Sequence, residues 1–416
     1  MHFPNIDYQT HPAYAPYQSN VAFDEEFIAG QVDKIDSISE AFCARATPIA
    51  QDAADALAQM RAAVEQILLH ARQQNIPIVA EEWLRVCFRW TLADFGYEFM
   101  RRVFSAREYR AKVLLESQAR QLLDMQTRGM YVTDLPKDTY DEIRRLGMEY
   151  LGELKSRAIA DPSERSVTNV RFNSPLWKAI RRGVNEAGVL DVLSEFKGNQ
   201  MTMLGAGLEY SYSGQRWYQN VYSDVGVSTG PFQYLHYDEG DCLPKSMIYV
   251  TPVDEKSGPT RAIPGSNCWE ISECTIRMHR ALDRIIGDRY GNLGRGSYRI
   301  LARHADLRRI FMELPTALRG SSHFGDDILP DTDLAATLEK LEVPYLSAGG
   351  QTLVFDGPRL LHRGSLVNSG ERLSLQVIYR NRNEARIRSI LAKETFITDQ
   401  VALLRKYARN FVMAHA

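Results

Sequence analysis

Several features of membrane and secreted proteins are missing from this sequence. No stretch approaches the roughly 20 consecutive apolar residues that a membrane-spanning helix needs, and the first residues show no basic segment followed by an apolar one. The cysteines are odd in number, and no two have CxxC spacing, so neither a disulfide framework nor a zinc knuckle is indicated. They are Cys43, Cys87, Cys242, Cys268 and Cys274. We therefore expect a reducing, cytoplasmic location and no membrane partner.

A strong charge of either sign is also missing. The chain has 50 basic and 52 acidic residues and a net charge of -2. This balance gives no general attraction to nucleic acid, which favours a small-molecule partner. The hydrophobic fraction of 44% in 416 residues is large enough to bury a substantial core.

The first third of the chain predicts helices. An irregular arm comes first, and residues 51–72 then place Leu57, Met60, Val64 and Ile67 at helical spacing. These apolar positions are typical of packing faces rather than of a cofactor site. We interpret residues 1–125 as a helical N-terminal extension, which either walls the pocket or forms a homodimer.

From about residue 169 the sequence is rich in short β-branched and aromatic runs, which predict a sandwich or barrel. Residues 126–390 form this β domain in our interpretation, and a C-terminal helix is expected over 391–416. Strand-like runs disappear over 269–342, where basic residues are followed by acidic ones. That segment predicts a helical insertion, either with solvated charges or acting as a lid over the site.

One motif has metal-ligand spacing. In the run Gln233-Tyr234-Leu235-His236-Tyr237-Asp238, the histidine and the aspartate are separated by one residue. Because side chains alternate faces along a strand, His236 and Asp238 can reach the same metal ion. A lone His-x-Asp is weak evidence, so a second histidine is needed.

That histidine follows a second predicted strand. Residues 350–357 end in a turn that leads to His362. Two imidazoles and one carboxylate are the ligands of non-haem iron(II) oxygenases and leave three metal positions open. The same ligands also suit zinc, so the triad alone does not decide the metal.

A charged strand follows the second histidine. Arg372, Ser374 and Gln376 share one face of the predicted strand, and the apolar residues between them share the other. Arginine binds a carboxylate through two charge-assisted hydrogen bonds, and Ser374 can add a third. This strand predicts a carboxylate-binding site beside the metal, which 2-oxoglutarate requires and an ordinary zinc hydrolase does not.

Together these motifs resemble the phytanoyl-CoA dioxygenase family of iron(II)- and 2-oxoglutarate-dependent oxygenases. The resemblance spans roughly residues 126–390 and includes the run Ile263-Pro264-Gly265-Ser266. The family's usual Gly-Ser-His reads Gly-Ser-Asn here, at 265–267, and the interval between Asp238 and His362 is long. The resemblance implies a mainly β core with helices, a double-stranded β-helix of the jelly-roll or cupin type.

The resemblance also implies the site and the reaction. His236, Asp238 and His362 would hold Fe(II), and Arg372, Ser374 and Tyr249 would bind 2-oxoglutarate. With O2, the expected reaction is hydroxylation of a small or medium-sized metabolite with release of succinate and carbon dioxide. Substrate contacts are expected from aromatic, amide and cationic side chains near the motif. They are Tyr218, Asn220, Tyr222 and Arg363, with Trp217 and Arg261 as further candidates.

Two other functions stay open from the sequence. The first is a zinc-dependent hydrolase that uses the same triad and works without 2-oxoglutarate. The second is a non-catalytic β-barrel binding module, which would never release succinate. Related halogenases replace the carboxylate ligand with a small residue, so Asp238 favours oxygenation over halogenation.

Overall fold

The computed structural model describes residues 2–216, 222–228, 230, 232–238, 243–289 and 300–391, without the side chains of 287–289, 300, 302, 388, 390 and 391. The helices in these residues are α1 (Glu25–Cys43), α2 (Ala50–Gln73), α3 (Ile78–Glu108), α4 (Glu116–Arg128), α5 (Lys137–Met148), α6 (Leu151–Ala160), α7 (Pro175–Glu186), α8 (Val189–Lys197), α9 (Glu273–Arg289), α10 (Ala305–Met312), α11 (Asp333–Leu341) and α12 (Glu384–Leu391). The strands are β1 (Met130–Asp134), β2 (Ser166–Asn169), β3 (Met201–Tyr212), β4 (Lys245–Tyr249), β5 (Thr260–Ala262), β6 (Val343–Tyr345), β7 (Gln351–Phe355), β8 (His362–Gly364) and β9 (Glu371–Asn381).

The strands form two antiparallel sheets. The larger has the order β1-β7-β4-β9-β3-β2, and the smaller has the order β6-β5-β8. An isolated antiparallel bridge between His236 and His362 adds the segment around His236 to the smaller sheet. From β3 onward the chain passes back and forth between the two sheets. This alternation defines a double-stranded β-helix, so the predicted fold class is confirmed.

The strand β9 has one apolar and one polar face, as its sequence predicts. Leu373, Leu375 and Val377 are fully buried in the core outside the barrel. Arg372 and the two polar residues that alternate with it line the cavity between the sheets. Because β9 pairs with β3 on one side and β4 on the other, its position in the barrel is fixed from both edges.

Helices cover the outer face of the larger sheet. The helices α5–α8 bury apolar residues against it, including Ile143, Trp177 and Ile180. Local signals start and end these elements: the Ser174 hydroxyl accepts a hydrogen bond from the Trp177 N–H at the start of α7. At the end of α4, Gly129 takes a left-handed conformation with φ of 73° that leads directly into β1.

The N-terminal helices and the insertion share one hydrophobic core. The insertion lies between β5 and β6 and contains α9, α10 and α11. Buried residues of α9 and α10, such as Met278 and Phe311, join the same cluster as Trp83 and Phe99 of α3. The predicted extension and the predicted insertion are therefore packed together as one helical unit. All of the helix predicted over 391–416 except residue 391 lies outside the described residues.

None of the helices in the described residues combines the length and apolar character that crossing a membrane requires.

Candidate metal centre

The structure brings the three predicted metal ligands together. The Nε2 atom of His236 lies 3.6 Å from Oδ1 of Asp238, and the Nε2 atom of His362 lies 3.6 Å from Oδ2. One ligand atom from each residue falls within 4.8 Å of the others. The backbone holds the two histidines opposite each other, since each N–H donates to the other residue's carbonyl at 3.0 and 3.1 Å.

Both imidazole rings are oriented by backbone carbonyls. The Nδ1 atom of His236 lies 2.5 Å from the Tyr234 carbonyl oxygen, and that of His362 lies 2.8 Å from the Leu360 carbonyl oxygen. A carbonyl only accepts hydrogen bonds, so Nδ1 carries the proton and Nε2 keeps its lone pair for a metal. Tyr234 has a φ of 69°, an uncommon conformation for a residue other than glycine.

The protonation states of two of the ligands suit metal binding. Burial alone would raise the pKa of Asp238, but Lys245, His362 and His236 together hold it well below its usual value. Burial lowers the pKa of His362 to about 3; the Asp238 carboxylate opposes this shift, and Lys245 adds to it. At neutral pH the carboxylate is therefore charged and the His362 ring is neutral, which is the state that binds metal.

The donor atoms fit a divalent metal ion. The Oδ2 atom of Asp238 is buried and has no hydrogen-bond partner among the described residues. The Nε2 atom of His362 lies 3.6 Å from it, and a metal ion bound beside that ring would satisfy it. Two nitrogen ligands and one carboxylate, with the remaining positions open to a cavity, suit iron(II) and also zinc.

A cavity of about 220 Å³ connects the triad with Arg372. The arginine side chain is buried, and its Nη2 donates to the Ser211 hydroxyl at 3.3 Å. Its Nε and Nη1 atoms are buried without a hydrogen-bond partner among the described residues. The Ser374 hydroxyl also lines the cavity and contacts the Glu209 carbonyl oxygen only weakly, at 3.5 Å. The site thus offers unused donors to an anion.

One acidic residue stands close to this arginine. Burial would raise the pKa of Glu209, but Arg165 and Arg372 lower it. Arg165 binds both carboxylate oxygens of Glu209, with its Nε lying 3.3 Å from Oε1. Because Arg165 already neutralises Glu209, the charge of Arg372 stays available to a ligand.

The expectation that Tyr249 binds 2-oxoglutarate stays a prediction. Its ring is fully buried and stacks on Tyr345 at 5.0 Å, and its hydroxyl accepts a hydrogen bond from the Thr260 N–H at 2.7 Å. The hydroxyl oxygen therefore accepts from the backbone of β5, which leaves its O–H as a donor, and Tyr249 is not among the described residues that line the cavity. Its position on β4 was predicted correctly, and its hydrogen bond to Thr260 joins the two sheets.

The expected substrate contacts other than the two arginines fall into two groups. Tyr222 lies away from the cavity, with its hydroxyl donating to the buried carboxylate of Asp327 in the helical unit. Tyr218, Asn220 and Trp217 lie outside the described residues. The structure therefore corrects the expectation for Tyr222 and leaves the other three as predictions.

The two candidate arginines are held by acids. Arg363 lines the cavity, but its Nε and Nη2 donate to the two carboxylate oxygens of Glu342 at 2.5 and 2.7 Å. Arg261 donates to Glu255 at 2.6 Å and lies 3.8 Å from Glu342. Neither guanidinium offers a free pair of donors comparable to that of Arg372.

Two residues of the site were not predicted from the sequence. Lys245 donates to Oδ1 of Asp238 at 2.6 Å. His323, from the insertion, stacks on His236 with ring centroids 4.9 Å apart and an angle of 2° between the rings. Its Nδ1 lies 3.0 Å from a carboxylate oxygen of Asp283 on α9. The insertion therefore forms part of the wall of the metal site.

Comparisons with known proteins give structural likenesses only. No family model and no curated protein matches the sequence. The solved structures that match include EctD from S. alaskensis with bound Fe, at 14% identity and a TM-score of 0.36 over 66% of this chain and 80% of that one. They also include the non-heme alpha ketoglutarate dependent carbocyclase SnoK from nogalamycin biosynthesis, at 13% identity and a TM-score of 0.34 over 65% and 85%. Because these values are low, the fold assignment rests on the strand order of the chain itself.

Proposed function

We propose that the chain is a non-haem iron(II)- and 2-oxoglutarate-dependent oxygenase of the phytanoyl-CoA dioxygenase type. One observation carries the proposal: Arg372 lines the same cavity as the metal triad, and two of its buried donors have no hydrogen-bond partner among the described residues. A buried cation without full hydrogen bonding is costly, and a carboxylate in the plane of the guanidinium would relieve that cost. A keto acid with a second carboxylate can reach Arg372 with one end and the metal with the other.

Each residue has a defined part in this proposal. His236, Asp238 and His362 hold the iron, while Arg372 and Ser374 hold the distal carboxylate of 2-oxoglutarate. When bound, iron(II) and 2-oxoglutarate supply O2 activation, in which the co-substrate becomes succinate and carbon dioxide and a substrate C–H becomes C–OH. The protein orients both molecules and excludes water from the cavity.

The finer features of the proposal concern substrate and setting. A small or medium-sized metabolite is the proposed substrate, because the cavity is of limited volume and partly polar. Hydroxylation is the proposed outcome. We also propose a cytoplasmic enzyme, with the N-terminal helices available for a homodimer.

The two alternative functions account for less of the site. A zinc-dependent hydrolase would use the triad but has no need for the unpartnered donors of Arg372. A binding module with a structural metal has no need for ligand positions that open to a cavity. Neither alternative gives Arg372 a partner.

The test is an anaerobic titration of the apoprotein with iron(II), with and without 2-oxoglutarate. A keto acid chelated to ferrous iron gives a weak visible charge-transfer band, so we expect the band only when both are present. Arg372→Ala should weaken 2-oxoglutarate binding about tenfold to a hundredfold or more, because a charge-assisted bidentate contact is lost.

The matched control is Arg380→Ala, which removes an arginine from the same strand but outside the cavity. It should leave the band and its dependence on 2-oxoglutarate unchanged. Iron binding without any band would contradict the keto-acid proposal and favour the zinc-hydrolase or binding-module function. Succinate release in air with a metabolite panel then identifies the substrate.

A further inference from the structure

The two carboxylate oxygens of Asp238 have different surroundings, because Lys245 contacts one of them. The Lys245 ammonium donates to Oδ1 at 2.6 Å, whereas Oδ2 is buried without a hydrogen-bond partner among the described residues. Both side chains are largely buried, at 16% and 11% exposure. One oxygen is thus occupied by the protein, and the other is left for the metal.

The position of the lysine is rigidly set. Lys245 is the first residue of β4, and β4 is paired on both sides, with Lys245 opposite Phe355 on β7 and Ile378 on β9. A residue anchored between two strands holds its side chain more precisely than a loop residue does. The Asp238 backbone is also fixed, because its N–H donates to the Gly357 carbonyl at 3.0 Å.

A cation at this place is unfavourable for metal affinity. An ammonium beside a metal ligand repels a divalent ion over a short distance in a partly buried site, where charges interact strongly. Pairing the Asp238 carboxylate with an ammonium also weakens it as a metal ligand. Metal affinity therefore does not explain why Lys245 lies in the site, and another effect must do so.

We propose that Lys245 is a positioning residue that makes Asp238 a metal ligand through Oδ2 alone. The inference rests on the proposed metal role of the triad. A carboxylate that binds through both oxygens takes two positions on the ion, as carboxylates often do. With Oδ1 held by Lys245, the triad takes three of six positions, which leaves two for a chelating co-substrate and one for oxygen.

The inference can be tested with Mn(II) alone, without substrate or turnover. Lys245→Met keeps the length and bulk of the side chain but removes the charge and the donor. We expect Mn(II) affinity to rise about tenfold, because the repulsion is removed and Oδ1 becomes a second ligand. Electron paramagnetic resonance gives the affinity, and water-proton relaxation should show about two bound waters instead of about three.

Two further variants separate this role from simple stabilisation. Lys197→Met removes the lysine of another buried ion pair, in which Nζ lies 2.8 Å from Asp356 Oδ1, outside the triad. It should lower thermal stability without raising Mn(II) affinity. Lys245→Gln keeps a donor for the buried carboxylate, so it should fold, bind Mn(II) more tightly and retain about three waters.

Unchanged or weaker Mn(II) binding in both Lys245 variants would overturn the inference, as would an unchanged water number in Lys245→Met. These outcomes are distinct from failure of the proposed oxygenase function. If the wild-type protein binds Mn(II) but never chelates 2-oxoglutarate, the proposed function fails while the role of Lys245 stands. If 2-oxoglutarate chelation is normal but the variants behave like the wild type, only the inference fails.

Discussion

Gly357 packs tightly against one of the metal ligands. A methyl group added at its Cα would lie 1.8 Å from Oδ2 of Asp238, far inside van der Waals contact. The carbonyl of the same glycine accepts the Asp238 N–H. Only a residue without a side chain allows both contacts at once, which explains why the turn after β7 contains a glycine at this position.

Gly357→Ala should therefore weaken metal binding. The methyl group displaces the carboxylate oxygen that we assign to the metal, and changes of this kind next to a ligand typically cost about 10- to 100-fold in affinity. Mn(II) titration of the apoprotein measures the effect. Gly152→Ala is the control, since nothing lies within 4 Å of the added methyl group in helix α6. Equal metal affinity in the two variants would contradict the placement of Oδ2.

The pair of Asp283 and His323 gives a pH prediction. Burial would raise the pKa of Asp283, but hydrogen bonds from His323, Ser321 and Ser322 lower it to about 2. Because the folded-state pKa lies below the unfolded value, this carboxylate stabilises the fold above about pH 4 and stops doing so as the pH falls toward 2. The shift corresponds to about 2 kcal/mol.

We expect the free energy of unfolding to fall more steeply between pH 4 and pH 2 in the wild-type protein than in Asp283→Asn. Urea denaturation of the apoprotein at several pH values gives both slopes. Parallel pH profiles would show that the carboxylate is not held in its charged form by these bonds. The amide variant keeps the size of the side chain, so packing changes are small.

Strand periodicity in the sequence led to part of the site but not to all of it. His236, Asp238 and Arg372 came from the alternation of faces along short strands. Lys245 carried a usable signal, since it shares a face of β4 with Met247, and a lysine on an inward face is unusual. His323 had no such signal, because its contact with His236 depends on how the insertion folds back.

At the scale of elements, the segment 232–238 is held from both sides. On one side lies β8, through the paired histidines. On the other side the insertion contributes the Ser322 carbonyl, which accepts the Tyr237 N–H at 2.8 Å, and the Gly325 N–H, which donates to the Leu235 carbonyl at 3.1 Å. The insertion therefore acts as an extra support for the segment that carries two metal ligands.

The N-terminal arm also contacts the insertion. The hydroxyls of Tyr8 and Tyr14 donate to the buried carboxylate of Asp327 at 2.8 and 3.1 Å. Phe3 packs on Phe324 at 5.0 Å and on Tyr237, between the two ligands, at 6.0 Å. The sequence indicated only an irregular arm here, because contacts between aromatic residues of distant segments leave no periodic pattern.

Tyr14→Phe tests the link between the arm and the insertion. Removing one donor from a buried carboxylate should lower the free energy of unfolding by about 1–3 kcal/mol. Thermal and urea denaturation measure the change. Tyr150→Phe is the control, because no hydrogen bond of that hydroxyl is found in the described residues. Equal stability of the two variants would argue that the Tyr14 hydroxyl contributes nothing to the fold.

At the scale of the whole molecule, the helical unit is built from two distant parts of the sequence. Helix α3 packs against α9, and both belong to one hydrophobic cluster. The sequence indicated helices in each part but not their association, because amphipathic spacing identifies a buried face and not its partner. The predicted extension therefore shares its core with the insertion, and the boundary near residue 126 stays a prediction.

A chain that begins at residue 126 should therefore not fold properly. It would expose the apolar faces of α9 and α10 that α3 covers in the full chain. We expect aggregation on size-exclusion chromatography and strong binding of a hydrophobic dye, whereas the full chain elutes as a defined species. A truncated chain that is monodisperse and unfolds cooperatively would mean that the β domain is independent.

The pairing of β3 with β9 sets the order in which the chain can fold during its synthesis. Met201 lies opposite Asn381, and Tyr212 lies opposite Glu371, in the middle of the larger sheet. The ribosome must release nearly all of the described chain before these two strands can meet. Until then β3 has an unpaired apolar strand edge, and such edges promote aggregation. Growth at low temperature and chaperone supply should consequently raise the soluble yield more than surface mutations that stabilise the finished fold.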